Sequence, residues 1–168
     1  MNIFYLDKDP IIAAQMSCDK HVVKMILESA QMLCSTHRVL DGDEIADSKG
    51  MYKMAHKNHP STIWTRSSVQ NYIWLWRHMT ALMREYTHRY GKVHATETKL
   101  AKIFKNPPKN LPEGPQQEFA VAIAENQTCR QVPGFDKLPV VNKYQQYILN
   151  DKPFAVWSKR DKPSWFNK

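Results

Sequence analysis

Apolar positions recur at helical spacing along most of the chain, and the clearest stretch is Ser17 to Arg38. At 100° per residue, Val22, Val23, Ile26, Leu27, Ala30, Leu33 and Cys34 gather on one side. Ser17, His21, Lys24, Glu28, Gln31 and Ser35 form a stripe roughly 80° wide on the other. A second periodic stretch sets Val69, Tyr72, Ile73, Trp76, Met79, Leu82, Met83 and Tyr86 on one face. Ser67 or Ser68 is placed to cap it and Gly91 to stop it.

Punctuation residues complete the outline. Asp9-Pro10 reads as an N-cap followed by proline in the first helical turn, so the first helix should run from there to about Val39, with a kink near Ser17. Residues 41–50 read as a polar, acidic loop, Pro60 opens a short helix, and Thr96–Phe104 reads as a short basic helix. Four prolines and a glycine between Asn106 and Pro115 predict an irregular connection. Residues 3–6 read as a strand or a buried extended segment, and residues 119–124 fit helix or strand equally. Leu138–Asn150 should form a third helix with Val141, Tyr144 and Ile148 inward. The expectation is one mainly α domain over residues 1–168, with two long core helices and a shorter C-terminal one.

Length and composition fit that outline. A chain of 168 residues can bury a real core, and its apolar runs are too short to span a membrane. No basic leader precedes the apolar start, so no signal peptide is expected. Cys18, Cys34 and Cys129 are odd in number and far apart, which favours a reducing, cytoplasmic setting over a disulfide framework. The net charge of +8 favours polyanionic partners, nucleic acid above all.

Several chemistries are absent from the pattern. His56-x-x-His59 lacks the glutamate and spacing of a metalloprotease helix. Glu85-x-x-His88 is half of a di-iron motif, but Arg89 stands ready to pair with Glu85. No glycine-rich phosphate loop or nucleophile elbow occurs, and no metal or cofactor is expected.

Two constellations remain. Lys20, His21, Lys24 and Glu28 put amines, an imidazole and a carboxylate on one ridge, which suits either a solvated helix face or a catalytic floor. A lysine amine there could attack C1′ of a sugar and form a Schiff base, with Glu28 relaying a proton. Aromatic rings interleave with cations at Trp64 and Arg66, at Trp74 and Arg77, and along Trp157, Lys159, Arg160, Lys162 and Trp165. Such pairs can stack bases while holding phosphates, or pin the C-terminus to the core. His59, Arg66 and Asn71 are expected to line the wall facing the ridge.

Asp7-x-Asp-Pro10, Cys18-Asp-Lys-His-Val-Val-Lys-Met25, Asn58-His-Pro-Ser-x-x-Trp-x-Arg66 and the closing Trp157-x-Lys-Arg-x-x-Pro-x-Trp-Phe166 resemble a family of small phage-type proteins. Asn71-Tyr-x-Trp-Leu75 and Glu85-Tyr-x-x-Arg-Tyr-Gly-Lys-x-His94 extend the match over most of the chain. More remotely, the layout resembles the pyrimidine-dimer DNA glycosylases typified by phage endonuclease V. That resemblance implies a small basic helical fold, a His-Pro turn before the second long helix and an aromatic, basic tail. It also implies attack on C1′ by an N-terminal α-amine, assisted by a glutamate on the first helix. Lys20-His21 stand where that family carries Arg-Glu, and Glu28 lies two turns further on. Asn2 replaces the small second residue, so the amine would be that of Met1 or a lysine.

The leading expectation is a DNA-directed glycosylase, AP lyase or other base-processing enzyme, working in the cytoplasm (the host's, if phage-encoded). Lys20, His21, Lys24 and Glu28 would carry the chemistry. His59, Arg66, Asn71, Trp74, Arg77, Lys159, Arg160 and Trp165 would hold DNA. The alternatives are a non-catalytic nucleic-acid-binding or host-interaction protein, and an enzyme on free nucleotides or phosphosugars.

Overall fold

Asp9 starts the first helix as expected, its carboxylate accepting from the Ile11 amide at 2.7 Å. The computed structural model describes residues 1–168, with seven α-helices and no strand. These are α1 (Pro10–Met16), α2 (Asp19–Asp41), α3 (Asp43–Ser48), α4 (Pro60–Thr65), α5 (Val69–Tyr90), α6 (Ala95–Leu100) and α7 (Val140–Asp151).

The kink near Ser17 is a full break, because Ser17 and Cys18 are both extended. Its cause lies far off in sequence. Arg89 donates to the carbonyls of Gln15 and Ser17 at 3.0 and 2.8 Å, satisfying acceptors that a helix end leaves open. The expected acidic loop at 41–50 is instead largely helical, as α3. Arg38, buried at the end of α2, binds Asp43 and Asp47 at 2.8 and 2.7 Å and gathers those acids into a turn of helix.

Helix α5 begins at Ser68, whose hydroxyl accepts from the Asn71 amide at 3.2 Å, and stops at Gly91 with φ +64°. It packs against both α1 and α2. Trp74, expected to hold DNA, is buried instead, as is His78 one turn further on. The chain from Lys8 to Pro10 covers them: Trp74 Nε1 donates to the Lys8 carbonyl at 2.7 Å, and His78 Nδ1 lies 2.9 Å from the Pro10 carbonyl. Trp64, Trp74, Tyr5 and Phe119 then form one aromatic core, with Tyr5 and Phe119 stacked at 4.1 Å.

Residues 3–6 are buried and belong to no strand, and the Leu6 amide turns back to the Phe4 carbonyl at 3.0 Å. Residues 119–124 are neither helix nor strand. They are held by single bonds instead, such as the Ala122 amide donating to the Tyr144 hydroxyl at 2.9 Å. The expected helix over 96–104 ends at Leu100 and continues as turns. In α7, Tyr144, Tyr147 and Ile148 are buried, while Val141 is only half-buried.

The C-terminal tail folds back over the α1–α2 break. Trp157 Nε1 donates to the Met16 carbonyl at 2.8 Å, and Ser158 donates to the Asp19 carboxylate. Arg160 grips Glu85, which also accepts from Arg89 at 3.1 Å, and Arg89 reaches Asp19 at 3.0 Å. Arg89→Ala strips the central cation from this buried network and leaves Asp19 and Glu85 short of countercharge. The expected loss is about 3–5 kcal/mol in a urea unfolding titration, and a loss below about 1 kcal/mol would contradict the account.

Candidate active site

The polar stripe of α2 is not a solvated face along its whole length. His21 and Glu28 are 5% and 8% exposed, whereas Lys20 and Lys24 reach solvent. Val23 and Leu27, expected inside, are 39% and 40% exposed. The helix is therefore rolled so that part of its polar stripe faces inward. What covers it is the N-terminal segment: Asn2, Phe4 and half-buried Met1 close over α2. Tyr147, Lys152 and Phe154 complete a cavity of about 420 Å³ around Lys20, His21, Lys24 and Glu28.

Glu28 is the centre of this cavity. Its Oε2 accepts from the Asn2 amide at 3.0 Å and lies 3.7 Å from the α-amine of Met1. Its Oε1 lies 3.4 Å from Lys24 Nζ. One carboxylate thus meets two amines, one on each oxygen. The α-amine is placed by a tightly held chain. Asn2 Oδ1 accepts from the Tyr144 hydroxyl at 2.9 Å, and Asn2 Nδ2 donates to the Ala122 carbonyl at 2.9 Å. Lys24 is on a largely exposed side chain and is much less constrained.

His21 stacks on Phe4 with ring centroids 4.0 Å apart and planes nearly parallel, and meets Phe154 edge-to-face with centroids 5.8 Å apart. Burial, then the charges of Lys152 and Lys24, push its pKa down to about 3. It is a neutral ring at physiological pH, able to hydrogen-bond but poorly matched to proton transfer. Its Nδ1 has no partner within the protein.

His59 stands on the amine side. Its Nδ1 caps α4 by accepting from the Ser61 amide at 3.1 Å. Burial, then the positive amine of residue 1 and His56, lower its pKa, with Glu28 opposing. Arg66 lies beside this turn and donates to the Lys57 carbonyl at 2.6 Å.

The other residues expected at DNA lie apart from the cavity. Asn71 is fully buried and stitches α5 to Trp64 and Gln117, accepting from the Gln117 amide at 2.9 Å. Trp74 belongs to the aromatic core. Their polar groups bind the fold, and neither reaches solvent as a DNA contact would require. Arg77 is exposed on α5. Arg160 is tied to Glu85, Lys159 is exposed beside it, and Trp165 is half-buried against Phe166. Two larger hollows, of about 660 and 790 Å³, lie beneath that tail and beside Phe119. Neither brings an amine to a buried carboxylate.

Sequence reasoning did not single out Tyr147, Lys152 or Phe154. The sequence carried no signal for them, because they meet residues 1–28 only through the fold. No group of three or more His, Cys, Asp or Glu side chains converges as a metal site. No helix is long and apolar enough to cross a membrane.

Comparison with curated proteins gives no match, and comparison with solved structures gives none. The profile of one protein family, pyrimidine dimer DNA glycosylase, matches residues 1–98. That stretch runs through the N-terminal segment, α1, α2 with Glu28, α4 with its His59 cap, and all of α5. More than half of the chain, including the amine and the carboxylate it meets, falls within the match, and the chain belongs to the pyrimidine dimer DNA glycosylase family.

Proposed function

We propose that this protein excises damaged pyrimidines from DNA through the α-amine of residue 1, with Glu28 as its proton partner, and then cleaves the abasic strand. The observation that supports the reading most is the Met1 amine lying 3.7 Å from a Glu28 carboxylate that is 8% exposed. An amine fixed beside a carboxylate is the arrangement that nucleophilic attack with proton transfer requires.

The unprotonated amine attacks C1′ while the C1′–N bond to the base breaks, and the departing base takes a proton from water. The proton shed by the amine passes to Glu28 Oε2. Glu28 gives that proton to O4′ as the sugar ring opens, which leaves a protonated imine between C1′ and the amine. Glu28, again a carboxylate, then takes a C2′ proton, the 3′ phosphate is expelled by breaking the C3′–O bond, and water releases the amine. Lys20, Lys24 and Lys152 around the cavity supply positive charge for the flanking phosphates. The neutral His21 ring offers a hydrogen bond without competing for the proton.

A binding protein has no use for a carboxylate held against an amine inside a cavity, and this favours an enzyme. Lys24 is the competing nucleophile, and the constraint on the N-terminal segment favours the α-amine over it.

The reading is tested by incubating the protein with ultraviolet-treated and abasic DNA in the presence of borohydride, which reduces an imine to a stable adduct. The expected result is strand nicking and an adduct that peptide mapping places on residue 1. Were Met1 removed, it would fall on Asn2, whose nitrogen is 3.0 Å from the same oxygen. An adduct on Lys24 would reassign the nucleophile, and absence of both nicking and adduct would overturn the proposal.

A further inference from the structure

We infer that Phe154 is a base-stacking residue: it receives the target nucleobase at the cavity mouth, and Lys20 leaves the ring to hold the adjacent phosphate. This inference rests on the DNA-directed reading above and adds the element that recognises the base.

Phe154 lines the same cavity as Met1, Glu28 and His21, yet its side chain is 37% exposed. It sits in the turn after α7, where the Ala155 amide donates to the Lys152 carbonyl at 3.0 Å and fixes the approach of the ring. Lys20 Nζ lies 4.6 Å from the ring centroid, over its face. Beneath the rim, His21 meets Phe154 edge-on and stacks on Phe4. The result is an apolar ring, braced from within the cavity, at the mouth of a site whose other exposed groups are lysines.

The exchange at that ring is physically favourable. A cation over an exposed ring is held weakly, because water competes for the ammonium. A nucleobase stacked there buries both flat surfaces and is held more strongly. Lys20 is an exposed side chain on a flexible stem, and once displaced it is next to the backbone of the nucleotide that displaced it. A second aromatic–cation pair lies on the same rim, where Lys152 Nζ is 4.2 Å from the Tyr147 ring centroid and 3.0 Å from its hydroxyl. Tyr147, Lys152 and Phe154 all lie beyond residues 1–98, so this wall is added to the family-matched part by the C-terminal third of the chain.

The test compares a duplex carrying a pyrimidine dimer with one carrying a preformed abasic site, which has no base to stack. Phe154→Ala should slow excision on the dimer by about tenfold or more, the equivalent of one lost stacked base. Borohydride trapping on the abasic duplex should change far less, and Phe154→Trp should restore excision. Lys20→Ala should weaken binding to both duplexes and lower the salt dependence of binding by about one counterion. Equal losses on the two duplexes, or no loss on either, would overturn the role of Phe154. Should the wild-type protein trap neither duplex, the excision reading fails. Binding to the dimer duplex then decides the role of Phe154 separately: it stands if Phe154→Ala weakens affinity and Phe154→Trp restores it, and falls otherwise.

Discussion

Glu28→Gln will bind damaged DNA as the wild type does and turn it over about 100- to 10,000-fold more slowly, the range expected for loss of a positioned acid–base group. Glutamine fills the same space, and its side-chain oxygen can still accept from the Asn2 amide, which in the wild type is 3.0 Å from the carboxylate. The N-terminal segment therefore keeps its place, helped by the bonds of Asn2 to Ala122 and Tyr144. What disappears is the negative charge beside the α-amine and the lone pair that takes its proton. Single-turnover excision on ultraviolet-treated duplex, with affinity measured in parallel, separates the two effects. Full turnover by Glu28→Gln would remove Glu28 from the reaction. Equal loss of binding and turnover would show a positioning group rather than a proton carrier.

Acid will cost this protein much of its stability between about pH 6.5 and 4.5, through its buried histidines. His21, His37 and His78 are buried, and burial lowers their pKa values from 6.5 to about 3, 4 and 4. Only partial compensation is at hand: the Pro10 carbonyl raises His78 slightly, and Asp41 does so for His37 against Lys49. The unfolded chain binds a proton at each histidine once the pH drops below about 6.5, and the native chain does not until near 4. These groups therefore favour the native state fully above pH 6.5, and that contribution is lost as the pH falls towards 4. Each histidine costs up to about 1.4 kcal/mol per pH unit within that window, so three cost about 4 kcal/mol per unit. From pH 6.5 to 5 the three together cost about 6 kcal/mol, a large share of a typical stability of about 5–15 kcal/mol. Denaturant titrations at several pH values between 7.5 and 4.5 read the slope directly. His37→Gln, at the residue whose Nε2 lies 2.9 Å from the Tyr72 hydroxyl, should flatten it by about one third. Constant stability from pH 7 to 5 would contradict this.

Features set by local chemistry were legible in the sequence. Asp9-Pro10, Ser68 and Gly91 mark helix ends because each residue does its work within a turn of its own position. Glu85 and Arg89 were readable as a pair, being one turn apart on α5. The ridge of α2 was legible as a set of residues but not as a cavity. Whether His21 and Glu28 face water depends on residues 1–4 and on Tyr147, Lys152 and Phe154, brought in from the far end of the chain. The same limit explains α5. Helical periodicity reports one buried face, but Trp74 and His78 are covered by a second layer running from Lys8 to Pro10. Asn71 was misread for a related reason: its amide closes a contact with Gln117, which spacing within a helix does not reveal. The helix at Asp43–Ser48 was hidden because the cation that gathers its acids, Arg38, belongs to the preceding helix.

The bonds that hold the first residues also impose an order on synthesis. Asn2 is bonded to Tyr144, Leu6 to Gln145, Met16 to Trp157 and Asp19 to Ser158, each across more than a hundred residues. Contacts so distant form late in folding, since the intervening chain must exist before the ends can meet. On the ribosome, the first helices can coil early and the N-terminal segment can meet Glu28 and His21 on α2, but the bonds from Tyr144 and Ala122 that fix Asn2 are missing until α7 emerges. The amine is thus locked at working distance from Glu28 only when almost the whole polypeptide has been made, and a nascent or truncated chain carries the reactive groups without the closed cavity.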